Sequence, residues 1–193
     1  EALESMHAAL AMRIDQENWI EAAKGANNLS ELELTLGEVS GALSDAERSV
    51  TYADRSGDAF QRMAYRTTHA DALHQSGRRS EAESLFREAE QMQAEFQPAY
   101  PLLYSVRGFQ YCDLLLGPAE REAWRRRLTL RVELSGPLLD SESPATEVLH
   151  QPLGVSPRLS GELGSTEPDA NALRLIKSCR DVTDRAKKML SWE

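Results

Sequence analysis

The polar concentration on a helix whose residue types could do chemistry is His69, Asp71 and His74, two imidazoles and a carboxylate. Such groups bind metals or move protons when they converge on one point. On a helix of 3.6 residues per turn, however, the five-residue step between the histidines turns the imidazoles about 140° apart. Packing or groove lining is therefore the expected role, and a metal-dependent enzyme is a remote alternative. The chain has no Gly-rich phosphate loop closed by Lys-Ser/Thr, no His-Glu-x-x-His and no Gly-x-Ser-x-Gly, the usual marks of nucleotide, zinc and acyl-transfer chemistry. Cys112 and Cys179 stand far apart with no Cys-x-x-Cys pair and no evident activating base. They read as small apolar packing groups in a reducing compartment. The expectation is no enzyme, no cofactor and no metal.

The elements that must position these residues are repeated helices. Shifting the sequence by forty residues superposes Glu1-Ala2, Gly41-Ala42 and Glu81-Ala82, and the glycines Gly37, Gly77 and Gly117 share that spacing. A period of this length marks an array of supersecondary units that bury their apolar faces on one another. Apolar residues at three- and four-residue intervals predict helices over 2–14, 16–36, 39–55, 59–76 and 80–96, and a sixth opening at Pro101. Trp19, Ala22, Ala23, Ala26, Leu29, Leu32 and Leu36 form the buried side of the second. Gly37 ends it, while Asp58 and Ser80 are expected N-caps. Tyr100, Tyr104, Phe109 and Tyr111 are expected core aromatics.

The regularity fails after Gly117. Arg125-Arg126-Arg127 falls on a helical extension, and fifteen of the thirty-four residues in 135–168 are Ser, Gly or Pro, which predicts a mobile insertion. A closing helix then follows Asp169 as N-cap, with Leu173, Ile176, Cys179, Val182, Ala186 and Leu190 on its buried stripe. The divisions expected are repeats over 1–117, extension and insertion over 118–168, and a closing repeat helix over 169–193. A start inside a repeat unit predicts a fragment of a larger protein.

A formal charge of −9 and a pI of about 5.1 argue against nucleic acid or an anionic membrane as partner, since both are bound through basic faces. No run approaches the roughly 18 apolar residues of a membrane span. A soluble, cytoplasmic protein is expected.

Asn28-Leu29-Ser30-Glu31-Leu32, then Leu36-Gly37-Glu38-Val39 and Ala42, resemble the tetratricopeptide repeat, a helix, a Gly-centred turn and a second helix. The next unit places Ala70, Leu73, Ala82, Phe86 and Ala89 at the family's packing positions around Gly77, and Tyr104, Gly108 and Tyr111 match a first-helix signature. The units are longer than the family's usual ones, and the third aligns on either Gly108 or Gly117. Lengthened units of this kind look like those in sensor arms of bacterial signal-transduction ATPases and NACHT- or TIR-linked proteins.

The resemblance implies an all-α right-handed superhelix of antiparallel helix pairs, an α-solenoid, whose first helices line a concave groove. The matching positions are Lys24, Asn27, Glu31 and Thr35, then Thr67, Asp71, His74 and Gln75, then Ser105, Phe109 and Cys112. Asn27 and Glu31 stand where the family's carboxylate clamp has lysine and asparagine, so an acidic tail is not the expected ligand. A protein or peptide segment of basic character is. Self-association or a spacer role without a groove ligand is the competing expectation.

Overall fold

The computed structural model describes residues 2–135 and 170–191, and among these the regular elements are all helices. In order they are α1 (Ala2–Asp15), α2 (Trp19–Leu36), α3 (Val39–Ser56), α4 (Ala59–Gln75), α5 (Arg79–Phe96), α6 (Ser105–Ser135) and α7 (Ala170–Leu190). The first five follow the predicted spans because local signals fix their ends. Gly37, Gly57 and Gly77 take φ of 81°, 72° and 83°, left-handed values that stop a helix at no Cβ cost. Asp58 Oδ1 accepts the Gln61 N–H at 2.7 Å, the expected cap. Ser80 is not a cap: the link after Gly77 is one residue long, so Arg78 takes the cap position and Ser80 falls inside the first turn of α5.

Helix α2 packs on α3 and α4 on α5, while α3 also packs on α4. In addition α2 meets α4, and α4 meets α6, so these three helices lie side by side. The crossings are built on buried alanines, among them Ala22, Ala26, Ala42, Ala46, Ala70, Ala82 and Ala89. Absent side-chain bulk lets the backbones approach closely. Larger residues fill the gaps between crossings: Leu10 and Leu29 in one cluster, Met63, Leu73, Phe86, Leu103 and Leu114 in the other. Three residues of the predicted α2 stripe, Trp19, Leu32 and Leu36, lie outside this core, Leu32 being half-buried. Trp19 is half-buried and stacks on Tyr52 at 5.9 Å, with the Arg55 guanidinium 4.8 Å from its ring centre. Leu36, at the chain reversal itself, is 57% exposed.

Of the four aromatics expected in the core, Tyr111 is buried but Tyr100, Tyr104 and Phe109 are exposed, and two further expectations are corrected in the second half of the chain. The sixth helix starts at Ser105 rather than Pro101, and it runs through Gly117 and Pro118 to Ser135 without a turn. Proline at 118 lacks the N–H that would bond the Leu114 carbonyl one turn earlier. Arg79 Nη1 of α5 donates to that same carbonyl, which replaces the missing bond and lets the helix continue. Gly108 is needed at the start of α6, because a Cβ there would lie 2.5 Å from the Leu103 carbonyl oxygen. The predicted insertion, Ser135 excepted, and the Asp169 cap lie outside the described residues.

The face of α7 is the second correction. Leu173, Ile176, Cys179, Ala186 and Leu190 are exposed, while Ala172, Leu175, Ser178, Arg185 and Met189 are half-buried, with Val182 common to both stripes. The helix is turned by about one residue, 100°, because a polar latch fixes it. Arg185 Nη1 donates to Glu90 Oε2 at 2.9 Å, and its guanidinium lies 4.6 Å from the centre of the Tyr111 ring. Tyr111 in turn stacks on Phe86 at 4.9 Å with 9° between the planes.

Arg79→Leu should destabilise the fold by about 1–3 kcal/mol, the cost of an orphaned buried carbonyl, in urea unfolding. In a Pro118→Ala background, where the backbone N–H returns, the same change should cost clearly less. Arg185→Ala should lower hydrogen-exchange protection in α7 by at least about tenfold, ~1.4 kcal/mol of local stability, while protection in α4 is retained.

Candidate functional site

The sequence-predicted groove residues fall on α2, α4 and α6, the three helices that lie side by side. On α2, Lys24, Glu31 and Thr35 are exposed. Asn27 is buried, and its Nδ2 donates to Glu31 Oε1 at 3.0 Å, which holds the carboxylate in place. Thr35 Oγ1 donates to the Glu31 carbonyl at 2.9 Å. On α4, Thr67 is 1% exposed and its hydroxyl donates back to the Ala64 carbonyl, so it belongs to the packed layer rather than to the surface.

Asp71 is the centre of the constellation. Its Oδ1 accepts from Gln75 Nε2 at 3.4 Å and its Oδ2 from Gln110 Nε2 at 3.2 Å. Burial pushes the Asp71 carboxyl above its ordinary range and Asp113 adds to the push, while the two amide bonds and nearby His74 hold it back. His74 Nε2 lies 3.3 Å from Asp113 Oδ2 of α6. Asp71 and Gln75 also join Leu34, Thr35, Gly37 and Val39 around a cleft of ≈ 430 Å³ between α2 and α4.

His69 does not share this cluster. Burial lowers its pKa, and the charges acting on it are Glu47 of α3, Arg78, Glu81 of α5 and Arg66 of α4. The two histidines therefore point to different sides of α4, as their spacing requires.

On α6, Ser105 is exposed with φ of 57°, Phe109 is 73% exposed and Cys112 is half-buried. The α6 side chains that reach the α4 cluster are Gln110 and Asp113, and Arg107 lies above Phe60 of α4 at 4.7 Å. Sequence reasoning missed these three. Their signal was the helical 107, 110, 113/114, 117 stripe, whose last member, Gly117, lies beside His74. Tyr65 was missed as well: burial raises its hydroxyl pKa, and both Glu31 and Arg107 act on it, across the three helices.

Several acids of the described residues are paired with arginine. Asp54 is held by Arg66 through two 3.0 Å bonds and by Arg62, and Arg66 also binds Glu88 at 2.7 Å. Burial alone would raise the Asp54 carboxyl, yet these guanidinium groups hold it below its ordinary range. Among the described residues no lysine or arginine pairs with Glu31 or Asp71; their partners are the neutral amides of Asn27, Gln75 and Gln110. A wider cavity of ≈ 810 Å³ lies between α5, α6 and α7, lined by both signs of charge, including Arg79, Arg87, Arg174, Asp181 and Asp184.

Comparison with protein-family models, with curated proteins and with solved structures finds no match to this chain.

Because the native Asp71 carboxyl binds its proton more tightly than the unfolded one, this group's contribution to stability falls as pH rises from its ordinary value through its raised native value. Asp71→Asn removes that dependence, and either glutamine can turn its amide to suit the asparagine. Relative to the parent, the variant should gain stability in urea titrations as pH rises above the ordinary aspartate value; a gain on acidification instead would contradict the reading.

Proposed function

We propose that this chain is a protein-interaction or sensor module of a larger intracellular signalling protein. Its repeat architecture is a tetratricopeptide-like solenoid in which α2, α4 and α6 line the concave side. The ligand is a protein or peptide segment of basic character. One observation carries the reading: Glu31 and Asp71 are oriented by neutral amides and have no lysine or arginine partner among the described residues, whereas Asp54, Glu88 and Glu90 are paired with arginine.

Acids held in place without a counter-ion attract a cation at little reorganisation cost. The cleft bounded by Thr35, Asp71 and Gln75 gives such a cation a recess. A reducing cytoplasm suits the free thiols Cys112 and Cys179, and among the described residues no helix is long and apolar enough to cross a membrane.

Self-association is the second reading, and exposed apolar side chains favour it: Leu173, Ile176 and Leu190 on α7, Trp124 and Leu128 on α6. A panel of fluorescent peptides matched in length and differing in charge separates the two. Basic peptides should bind, with affinity falling as salt rises, and Glu31→Gln/Asp71→Asn should weaken binding at least about tenfold, ~1.4 kcal/mol. Binding to no peptide, together with a mass that grows with concentration in sedimentation, would replace the groove reading with self-association.

A further inference from the structure

A second polar constellation lies away from the α4 cluster, where α1, α2 and α3 meet. His7, Glu33 and Asp45 each place one ligand atom so that all three lie within 4.8 Å of one another. Glu33 is 5% exposed and Asp45 3%, while the His7 side chain stands at the rim, half exposed. Two buried carboxylates at this distance repel each other and have lost their water.

The protein only partly offsets that cost. Arg48 Nη1 takes Asp45 Oδ1 at 2.8 Å, and His7 Nε2 lies 3.9 Å from Glu33 Oε1. Glu33 Oε2 is buried and has no hydrogen-bond partner among the described residues. Burial first, then Asp45, push the Glu33 carboxyl above its ordinary range, with Glu38 adding to them and His7 and Arg48 opposing.

The backbone is also shaped to admit this carboxylate. A Cβ at Gly41 of α3 would lie 2.7 Å from Glu33 Oε1 and 2.9 Å from its Cδ. Glycine inside a helix costs roughly 1 kcal/mol against alanine, and here it opens the space that Glu33 occupies.

We propose that His7, Glu33 and Asp45 bind a divalent transition-metal ion of the zinc class, which ties α1 to α2 and α3. One imidazole and two carboxylates from three separate helices suit zinc, which takes N and O ligands in a four-coordinate shell that a water can complete. Calcium and magnesium want six or more oxygens and fit this set poorly. Zinc ligands at about 2.1 Å from the ion stand roughly 3.4 Å apart in a tetrahedron, so the site contracts on loading. His7, at the rim, has the freedom to close it. The ion satisfies the orphaned Glu33 oxygen and offsets the charge that Arg48 leaves uncompensated.

The test uses the full chain after treatment with a chelator. Zinc should raise Tm and magnesium should not, because only a ligand of the folded state stabilises it. Cobalt(II) in place of zinc should give visible d–d absorption, a direct report on the ligand shell. His7→Ala and Glu33→Gln should each lower zinc affinity at least about tenfold and abolish the cobalt bands. Neither threatens folding: His7 is half exposed, and Glu33→Gln removes a buried charge, so its metal-free Tm should equal or exceed the parent's. No zinc-induced rise in the parent, or a rise and cobalt bands that survive in either variant, overturns the assignment.

Discussion

The close approach of helices through alanine is the constraint on which the structure depends. Among the described residues, eleven of the nineteen buried hydrophobics are alanine, so the core is held by many short crossings rather than by a large apolar volume. A methyl group buries little area by itself, and at roughly 25 cal/mol per Å² its transfer term is small. What alanine supplies is distance: backbones come near enough for Phe86, Met63 and Leu29 to touch several helices at once, which gains dispersion from dense packing. A larger residue at Ala46 or Ala82 would separate two helices along their length, and every gap-filling side chain nearby would lose contacts together.

So thin a core leaves the polar layer to carry specificity. Arg66, with a side chain only 10% exposed, joins α3, α4 and α5 through Asp54 and Glu88. Glu90 joins α5 to the chain before α6 through the Leu103 N–H at 3.1 Å and to α7 through Arg185. Charges paired this way have fixed geometry, and removal of either partner would strand the other. Glu31 on α2 and Asp71 on α4 follow another pattern, with amides as partners, so orientation is fixed while charge stays uncancelled. The same fold thus separates acids that hold helices together from acids that remain available.

Local signals were legible where they act within a few residues. Gly37, Gly77 and Asp58 marked their turns and cap because a left-handed φ and a capping carboxylate need nothing beyond the neighbouring turn. The run of α6 through Pro118 was not legible, because the donor that repairs its Leu114 carbonyl is Arg79, thirty-five positions upstream. The face of α7 was misread for a related reason: apolar periodicity assumes that burial orients a helix, whereas Arg185 and its partners orient this one. Within the candidate site, Glu31, Asp71 and His74 were found from α2 and α4 alone. Gln110 and Asp113 needed the third helix in the correct rotation, and the ambiguity between Gly108 and Gly117 hid it. Glu33 and Asp45 carry no local signal in the sequence, because only the packing of three helices brings them to His7.

The uneven distribution of packing has a consequence for motion. Helices α2 to α5 each bury several side chains completely, whereas α7 buries none and is held by Arg185, Met189 and its other half-buried residues. Local opening free energies follow such differences, since an element with little buried apolar area opens before the fold as a whole. The α7 latch also bears on Tyr111, whose ring it covers, and Tyr111 lies on the same helix as Gln110, which holds Asp71. One turn of α6 therefore touches both the helix that buries no side chain completely and the half-buried Asp71 cluster. A change in how α7 docks would act first on that turn, and through Gln110 on the orientation of the Asp71 carboxylate.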